Sequence, residues 1–423
     1  MLVHIPLFLA LLGLLSAPCS SDVCASDLAF GGELRLRAEG FDNALDLEDT
    51  GADSTAPPRN DAYEYLRLRS RIWMKASPHA WLTMFFRLGN EFRFGRGPNA
   101  SGVKDAESKM SLDNGWAQIA LGPTSLAFGR MDLQYGEGFL LFDGTPADGS
   151  SSSWFDAVKL SIVRPMGHVD LLFAQIDEEG FGGAGRDEAC FGVYGVRGAM
   201  ETYVLRRTKG QSTTTLSGTV HPRGNTTAIG ARVSRSPVSG ITYAVEGAYQ
   251  RGIADGADRE GYGGYCRLAW RGGGAVSPGV ELGAVYLTGD DPETDGYEGW
   301  DGFYAEWPKY SDLLVYTLYD NTTRITPNEP GTWTNLVGGW VELGAAIPHG
   351  RLAIRCTPLG AAVADNGPGS GSRRGLLLAA RADLDLGDGV QSQLLGEYFD
   401  PGDFYASSAD LALYGRWQLT ARF

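Results

Sequence analysis

The sequence predicts an all-β fold, a single antiparallel transmembrane β-barrel of about 18 strands with short turns at one end and long loops at the other. Three observations carry that prediction. First, the final stretch Leu411–Phe423 alternates: Leu411, Leu413, Trp417, Leu419, Ala421 and Phe423 share one parity, interrupted only by Gly415, while Ala412, Tyr414, Arg416, Gln418, Thr420 and Arg422 share the other. Successive strand side chains point to opposite faces, so this segment has one apolar and one largely polar face. Second, similar alternating segments recur along the chain, and nothing after residue 25 has the run of about 18 apolar residues that a spanning helix requires. Third, the connections alternate between short and long, a pattern a soluble sandwich has no reason to keep.

The expected strands cover residues 30–40, 62–74, 79–94, 113–121, 124–131, 154–164, 167–177, 189–197, 199–208, 226–235, 239–250, 260–271, 279–288, 334–346, 349–358, 373–385, 389–399 and 409–423. Short turns fall at Lys75–Pro78, Gly122-Pro123, Pro165-Met166, Gly198, Ser236–Val238, Gly272–Pro278, Pro348 and Gly387-Asp388. Long loops are expected at 41–61, 95–112, 132–153, 178–188, 209–225, 251–259, 289–333, 359–372 and 400–408. A terminal strand ending in an aromatic residue resembles the one by which bacterial outer-membrane barrels are recognised and inserted. That likeness implies the barrel assembly machinery and outer-membrane lipid as partners.

Composition agrees with a barrel. Of 423 residues, 43% are hydrophobic and 21% charged, which fits neither a disordered chain nor a bundle of spanning helices. The net charge of −15 argues against a nucleic-acid partner, which needs a basic footprint. Residues 1–25 read as a signal peptide: the apolar run Ile5–Leu15 is too short to span, and Val23-Cys24-Ala25 offers a small-residue cleavage site. Residues 26–423 are then the barrel. Its cysteines, Cys190, Cys266 and Cys356, have no metal-ligand spacing and are expected on the apolar parity of their strands, as small lipid-facing or packed residues.

The parity rule separates a candidate lumen face from a lipid face. In 30–40, Glu33, Arg35, Arg37 and Glu39 oppose Leu34, Leu36 and Ala38. In 62–75, Tyr65, Arg67, Arg69, Arg71 and Lys75 oppose Leu66, Leu68, Ile72 and Met74. In 81–94, Arg87, Glu91 and Arg93 oppose a run of Leu, Met and Phe, and later strands add Lys159, Arg232, Arg267, Arg351, Arg355, Arg381 and Arg416. An arginine facing lipid at midplane costs roughly 2–4 kcal/mol, so these residues belong inside or at an interface. The acids on its own strand cannot pair the Arg67–Arg69–Arg71 column, which suggests a net basic lumen. Two readings stay open: Arg–Glu pairs that fill the lumen, or an anion-selective track of guanidinium forks that match carboxylates.

The acids gather in loops. Ten lie in 289–333, where Asp290, Asp291 and Asp295 are candidates for a structural calcium ion, although no EF-hand spacing is present. No cofactor is otherwise expected. An enzyme is not expected either: His79, His168, His221 and His349 lie in or beside turns and loops, none in mid-strand with a Ser or Asp partner.

Three stretches carry a further likeness: Phe128-Gly129-Arg130-Met131 through Gly138 with Trp154–Leu160; Thr288–Pro292 with Tyr297–Asp301 and Trp307–Asp312; and Gly396–Tyr405. They resemble the alginate export family of outer-membrane porins. The resemblance implies a monomeric barrel that passes an anionic polysaccharide through an arginine-rich constriction, with Arg130 and Lys159 at the basic positions of the first motif. The chain departs from the family where Lys159 replaces a usual arginine, where Met131 replaces a common glutamine, and where the turn Leu386–Gly389 leaves no room for a long plug. The function expected is passive, anion-selective transport of alginate-like saccharide or smaller carboxylates. The alternative is a non-conducting structural or adhesion barrel with acidic ligand-binding loops.

Overall fold

The computed structural model describes residues 27–43, 47, 62–96, 110–142, 155–176, 188–210, 212–213, 220–221, 223–254, 256–305, 311–314, 334–364 and 369–423. The expected signal peptide lies outside the described residues, as do most loop tips. The strands are β1 (Asp27–Asp42), β2 (Tyr63–His79), β3 (Leu82–Arg96), β4 (Ser111–Leu121), β5 (Thr124–Met131), β6 (Phe155–Arg164), β7 (Gly167–Ile176), β8 (Glu188–Arg197), β9 (Met200–Lys209), β10 (Ser212–Thr213), β11 (Val220–His221), β12 (Gly224–Val238), β13 (Ile241–Ala254), β14 (Ala257–Arg271), β15 (Ser277–Leu287), β16 (Leu336–Ile347), β17 (Gly350–Gly360), β18 (Arg373–Gly387), β19 (Val390–Pro401) and β20 (Ala412–Arg422). β10 and β11 form a separate small ladder; the other strands make one 18-stranded sheet. Each of these pairs antiparallel with its neighbours in chain order, and β9 pairs with β12 across the small ladder. β20 closes on β1 with Glu39 opposite Arg416 and Arg37 opposite Gln418. Closure removes both sheet edges, the condition for a sheet to sit in lipid. Among the described residues no helix is long and apolar enough to cross a membrane, which says nothing against crossing by strands.

Alternation sets the two faces. Along β1 the odd-numbered Arg35, Arg37, Glu39 and Phe41 are buried while Leu34 is exposed. Leu66, Ile72, Phe94, Phe173, Val245, Leu343, Ile354 and Trp417 are likewise exposed, and form an apolar outer surface. Strands of 10 residues or more are long enough to cross at a barrel's tilt, β5 with its 8 residues being the short one.

At the short-turn end most connections are two residues long. Asp388 and Gly389 between β18 and β19 have φ of 50° and 78°. Both central residues therefore adopt the left-handed conformation that a type I′ hairpin needs, and Asp-Gly is a favoured pair for it. No plug can be inserted at that turn. The expected long loop at 251–259 is a misreading, because β13 runs on to Ala254 and β14 begins at Ala257. Its Gly, Asp and charged residues have loop composition, yet Asp258 and Arg259 belong to the β14 ladder. A second correction concerns Cys190. It is fully buried on the inward face of β8 with Tyr194, whereas Cys266 and Cys356 are exposed outside as expected.

The barrel is not hollow. Leu133, Phe139, Leu140 and Leu141 from the β5–β6 connection, and Trp300, Phe303, Leu313 and Leu314 from the β15–β16 connection, are buried against inward-facing wall residues. Phe139 stacks on Trp300 at 5.0 Å and tilts onto Tyr265 at 5.5 Å. The two connections meet through a parallel bridge between Leu141 and Tyr304.

Candidate functional site

The inward face of β1, β2 and β3 stacks cations in register. Arg37, Arg67 and Arg93 lie in one cross-strand row, and Arg35, Arg69 and Glu91 in the next. Like charges directly opposite one another repel, so the wall is stable only through diagonal pairing. Glu91 on β3 accepts from Arg67 Nε at 2.8 Å and Arg35 Nη2 at 3.1 Å. Glu39 accepts from Arg67 Nη1 at 3.0 Å, and Glu33 from Arg69 Nη2 at 2.6 Å. Arg37 donates to Gln418 across the closing seam at 2.9 Å. Asp113 on β4 takes Arg71 at 3.1 Å and Arg87 at 2.7 Å, while Arg87 also reaches Asp132 at 3.0 Å. The column that its own strand cannot neutralise is thus neutralised by neighbouring strands. Arg35 and Arg37 are each only 1% exposed, so this wall is a packed ionic layer rather than a wetted cationic surface.

Opposite this wall the cations are met by loops. Glu137 of the β5–β6 connection accepts from Arg267 Nη2 at 2.6 Å and Arg232 Nη2 at 3.0 Å. Burial opposes ionisation of Glu137, but the two guanidinium groups hold its carboxyl below the usual range. Asp301 of the β15–β16 connection accepts from Arg207 Nη2 at 2.8 Å and Thr226 Oγ1 at 2.9 Å, and also binds Arg259. Gln250 clamps the Asp301 backbone through bonds of 2.6 and 2.8 Å. Burial again opposes ionisation, and Arg207, Arg259 and Lys209 outweigh it, so the Asp301 carboxyl lies well below the normal aspartate range. Further along the same connection, Ser311 Oγ and the Leu313 amide donate to Glu397 at 2.9 and 2.7 Å, and Asp312 pairs with Arg416. Within the β9–β14 wall, Tyr203 and Tyr265 donate to Glu246 at 3.1 and 3.0 Å.

A third group of arginines reaches open space. A cavity of about 380 Å³ inside the short-turn end is lined by Arg351, Arg381, Asp383, Gln391, Gln393, Gln418, Thr420 and Arg422. Arg381 Nε donates to Asp383 at 2.8 Å, and Gln393 donates to the same carboxylate at 2.7 Å. Arg422 bonds Glu33 at 3.2 Å and Gln391 at 3.1 Å. Arg351 and Arg355 share Glu342, and Arg355 also lies 5.9 Å from the Trp340 ring. The side chains of Arg351, Arg381 and Arg422 remain 42%, 50% and 59% exposed, which places them among the accessible cations of the lumen, with Arg93 at 40%.

Of the residues expected to line the lumen, Arg35, Arg37, Arg67, Arg69, Arg71, Arg87, Arg93, Lys159, Arg232, Arg267, Arg351, Arg355, Arg381 and Arg416 all have inward parity. Arg130 does not. It shares the outward parity of Phe128 and sits at the loop end of β5, opposite Asp156. Its Nε and Nη2 bond both Asp156 oxygens at 2.9 and 3.0 Å, a bidentate pair on the outer surface. The adjacent Gly129 is the structural part of that motif: at φ 120°, a Cβ would lie 2.3 Å from the Gly115 carbonyl oxygen. Alternation in the sequence does not reveal Arg207, Arg259, Glu137 and Asp301. Arg207 shares a parity with Tyr203 and Leu205, which hid it, and Arg259 fell in the misread loop. Loop carboxylates that fold inward leave no periodicity to find.

The calcium candidates are used otherwise. Asp290 Oδ1 accepts from the Glu298 amide at 3.0 Å, and Asp291 Oδ1 from the Glu293 amide at 3.0 Å. Burial and the nearby Glu298 raise the Asp290 carboxyl. Among the described residues no three His, Cys, Asp or Glu side chains are grouped to hold a metal, Asp295 included.

A closed, loop-filled 18-stranded antiparallel barrel with a charged interior defines a porin of the outer-membrane type. The model of the family described as alginate export matches residues 26–413, and the chain belongs to that family. Among solved structures, OccAB1 of Acinetobacter baumannii is similar at 9% identity with a TM-score of 0.58, over 93% of this chain and 96% of that one. OpdO of Pseudomonas aeruginosa is similar at 12% identity and 0.56, over 94% and 97%. OprD of Pseudomonas aeruginosa is similar at 10% identity and 0.56, over 96% and 99%. At such identities these likenesses speak for the fold alone. No curated protein sequence matches the chain.

Proposed function

We propose that this outer-membrane channel is monomeric and passes anionic oligo- or polysaccharide, or smaller carboxylates, by passive, anion-selective diffusion. The short-turn end with both strand termini faces the periplasm, and the long loops face outward. The observation that carries the reading is the cavity at the short-turn mouth. It combines the accessible Arg351, Arg381 and Arg422 with the amides of Gln391, Gln393 and Gln418 and the Thr420 hydroxyl. Guanidinium forks suit carboxylates, and amides and hydroxyls exchange hydrogen bonds with sugar hydroxyls. A mobile uronate would replace its water shell by these groups in turn and leave readily, because no arginine there lacks a carboxylate competitor.

Reversal potentials in a planar bilayer test this. Anion selectivity, with current blocked by oligouronate and that block weakened in an Arg351→Gln/Arg381→Gln variant, is the expected result. Cation selectivity without an oligouronate effect overturns it.

One observation favours the non-conducting alternative: two connections fold into the lumen and bury apolar residues there. Absence of current from inserted, folded barrels at high voltage would establish that alternative.

A further inference from the structure

The outward face carries a second basic feature, unrelated to the lumen. Arg206 on β9 and Arg251 on β13 flank Thr227 on β12 in one cross-strand row. All three have outward parity, shared with the exposed Val204, Ile229 and Tyr249. Arg206 Nη1 donates to Thr227 Oγ1 at 3.1 Å. Among the described residues neither arginine has a carboxylate within 4.0 Å. Glu260 lies opposite Arg251 in the register but makes no ion pair with it within 4.0 Å. Arg130, the other outward arginine near the loop end, is fully engaged by Asp156 and offers a contrast within the same molecule.

The height of the pair matters. Arg251 is ten residues beyond Ile241, the first residue of β13 at the short-turn end. At about 3.4 Å per residue and roughly 40° of tilt, that is about 26 Å, close to the top of a barrel's apolar band. Beneath the pair the outward row reads Val204, Ile229, Tyr249 and Tyr262, and below that Thr202, Ala231, Gly247 and Gly264. Exposed bulky side chains thus sit above a row of small ones, directly under two cations. Such a surface fits a molecule with an anionic head and acyl chains.

We infer that Arg206, Thr227 and Arg251 form a headgroup site for a phosphate-bearing lipid of the loop-side leaflet. The two guanidinium groups and the Thr227 hydroxyl take the phosphate oxygens, and the acyl chains lie over the Ala231–Gly247 depression. The inference rests on the reading of the chain as an outer-membrane barrel with outward loops.

Native mass spectrometry of the full-length barrel, extracted after insertion into liposomes, tests it. The probe is a hexa-acylated glucosamine disaccharide bearing two phosphates, compared with its phosphate-free counterpart. One phosphorylated lipid is expected to stay bound per barrel, with retention about thirtyfold weaker in Arg206→Gln/Arg251→Gln, from roughly one surface-charge contribution per arginine. Arg206→Lys/Arg251→Lys should retain much of the binding, and Arg130→Gln all of it. Equal retention of the phosphate-free lipid, or by the double Gln variant, overturns the inference while leaving the channel reading intact. Failure of the wild-type chain to insert into liposomes overturns both.

Discussion

The two halves of the lumen wall solve the same electrostatic problem differently. On β1–β4, arginines find carboxylates on adjacent strands, so Glu33, Glu39, Glu91 and Asp113 neutralise the array within the sheet. On β9–β14, Arg207 and Arg259 depend on Asp301, which a loop carries in, while Arg232 and Arg267 share the loop residue Glu137 in addition to the strand carboxylates Glu201, Glu246 and Glu281. The first wall is complete once the barrel closes. The second is complete only when its loops dock. Loop position is therefore coupled to charge on one side of the lumen, and substitutions there should affect conduction as well as stability.

The largest effect is expected for Asp301→Ala. It leaves Arg207 and Arg259 facing each other without their shared carboxylate, and removing one partner of a buried pair costs about 3–5 kcal/mol. Limited proteolysis of the β15–β16 connection should accelerate and the unfolding temperature of the purified barrel should fall; an unchanged digestion rate would break the comparison. Glu137→Gln is expected to cost less, about 1–2 kcal/mol, since its partners are partly solvated. It removes a negative charge from the lumen, so the anion-to-cation permeability ratio should rise, measured as a shift in reversal potential.

Acid should act on the same wall. Both loop carboxyls titrate below their ordinary range in the folded state, so their contribution is fully present above the unfolded carboxylate range near 4 and is lost as pH falls through the lower folded values. Loop proteolysis should therefore be independent of pH from 5 to 8 and rise only in stronger acid, and the rise should shrink in Asp301→Ala. Smaller still, Arg381→Gln at the exposed mouth should change stability by no more than about 1 kcal/mol yet weaken oligouronate block several-fold. The smallest effect belongs to Arg130→Ala, an outward pair whose loss should leave selectivity unchanged and stability within about 1 kcal/mol.

Much of the barrel was legible because a strand has a period of two and each crossing must place apolar atoms outside. That rule alone assigned inward parity correctly to Arg35 through Arg416 in the proposed lumen set, apart from Arg130, which entered through motif likeness rather than alternation. It failed for Cys190, a small residue whose polarity suits either face, and at Arg259, where charged and Gly-rich composition imitated a loop. The pairing of Arg67 with Glu91 and Glu39 was not legible, since diagonal contacts depend on the register between strands and not on the order within one.

The sequence by itself determined the sheet, its closure partners in chain order, the outward apolar band and the inward placement of most cations, because these follow from local alternation and turn chemistry. Only the tertiary structure decided whether those cations are buried, shared or open to solvent. Burial at Arg35, docking at Asp301 and exposure at Arg381 depend on which strand and which loop lie alongside, and those neighbours are set by register and by the inward fold of the connections.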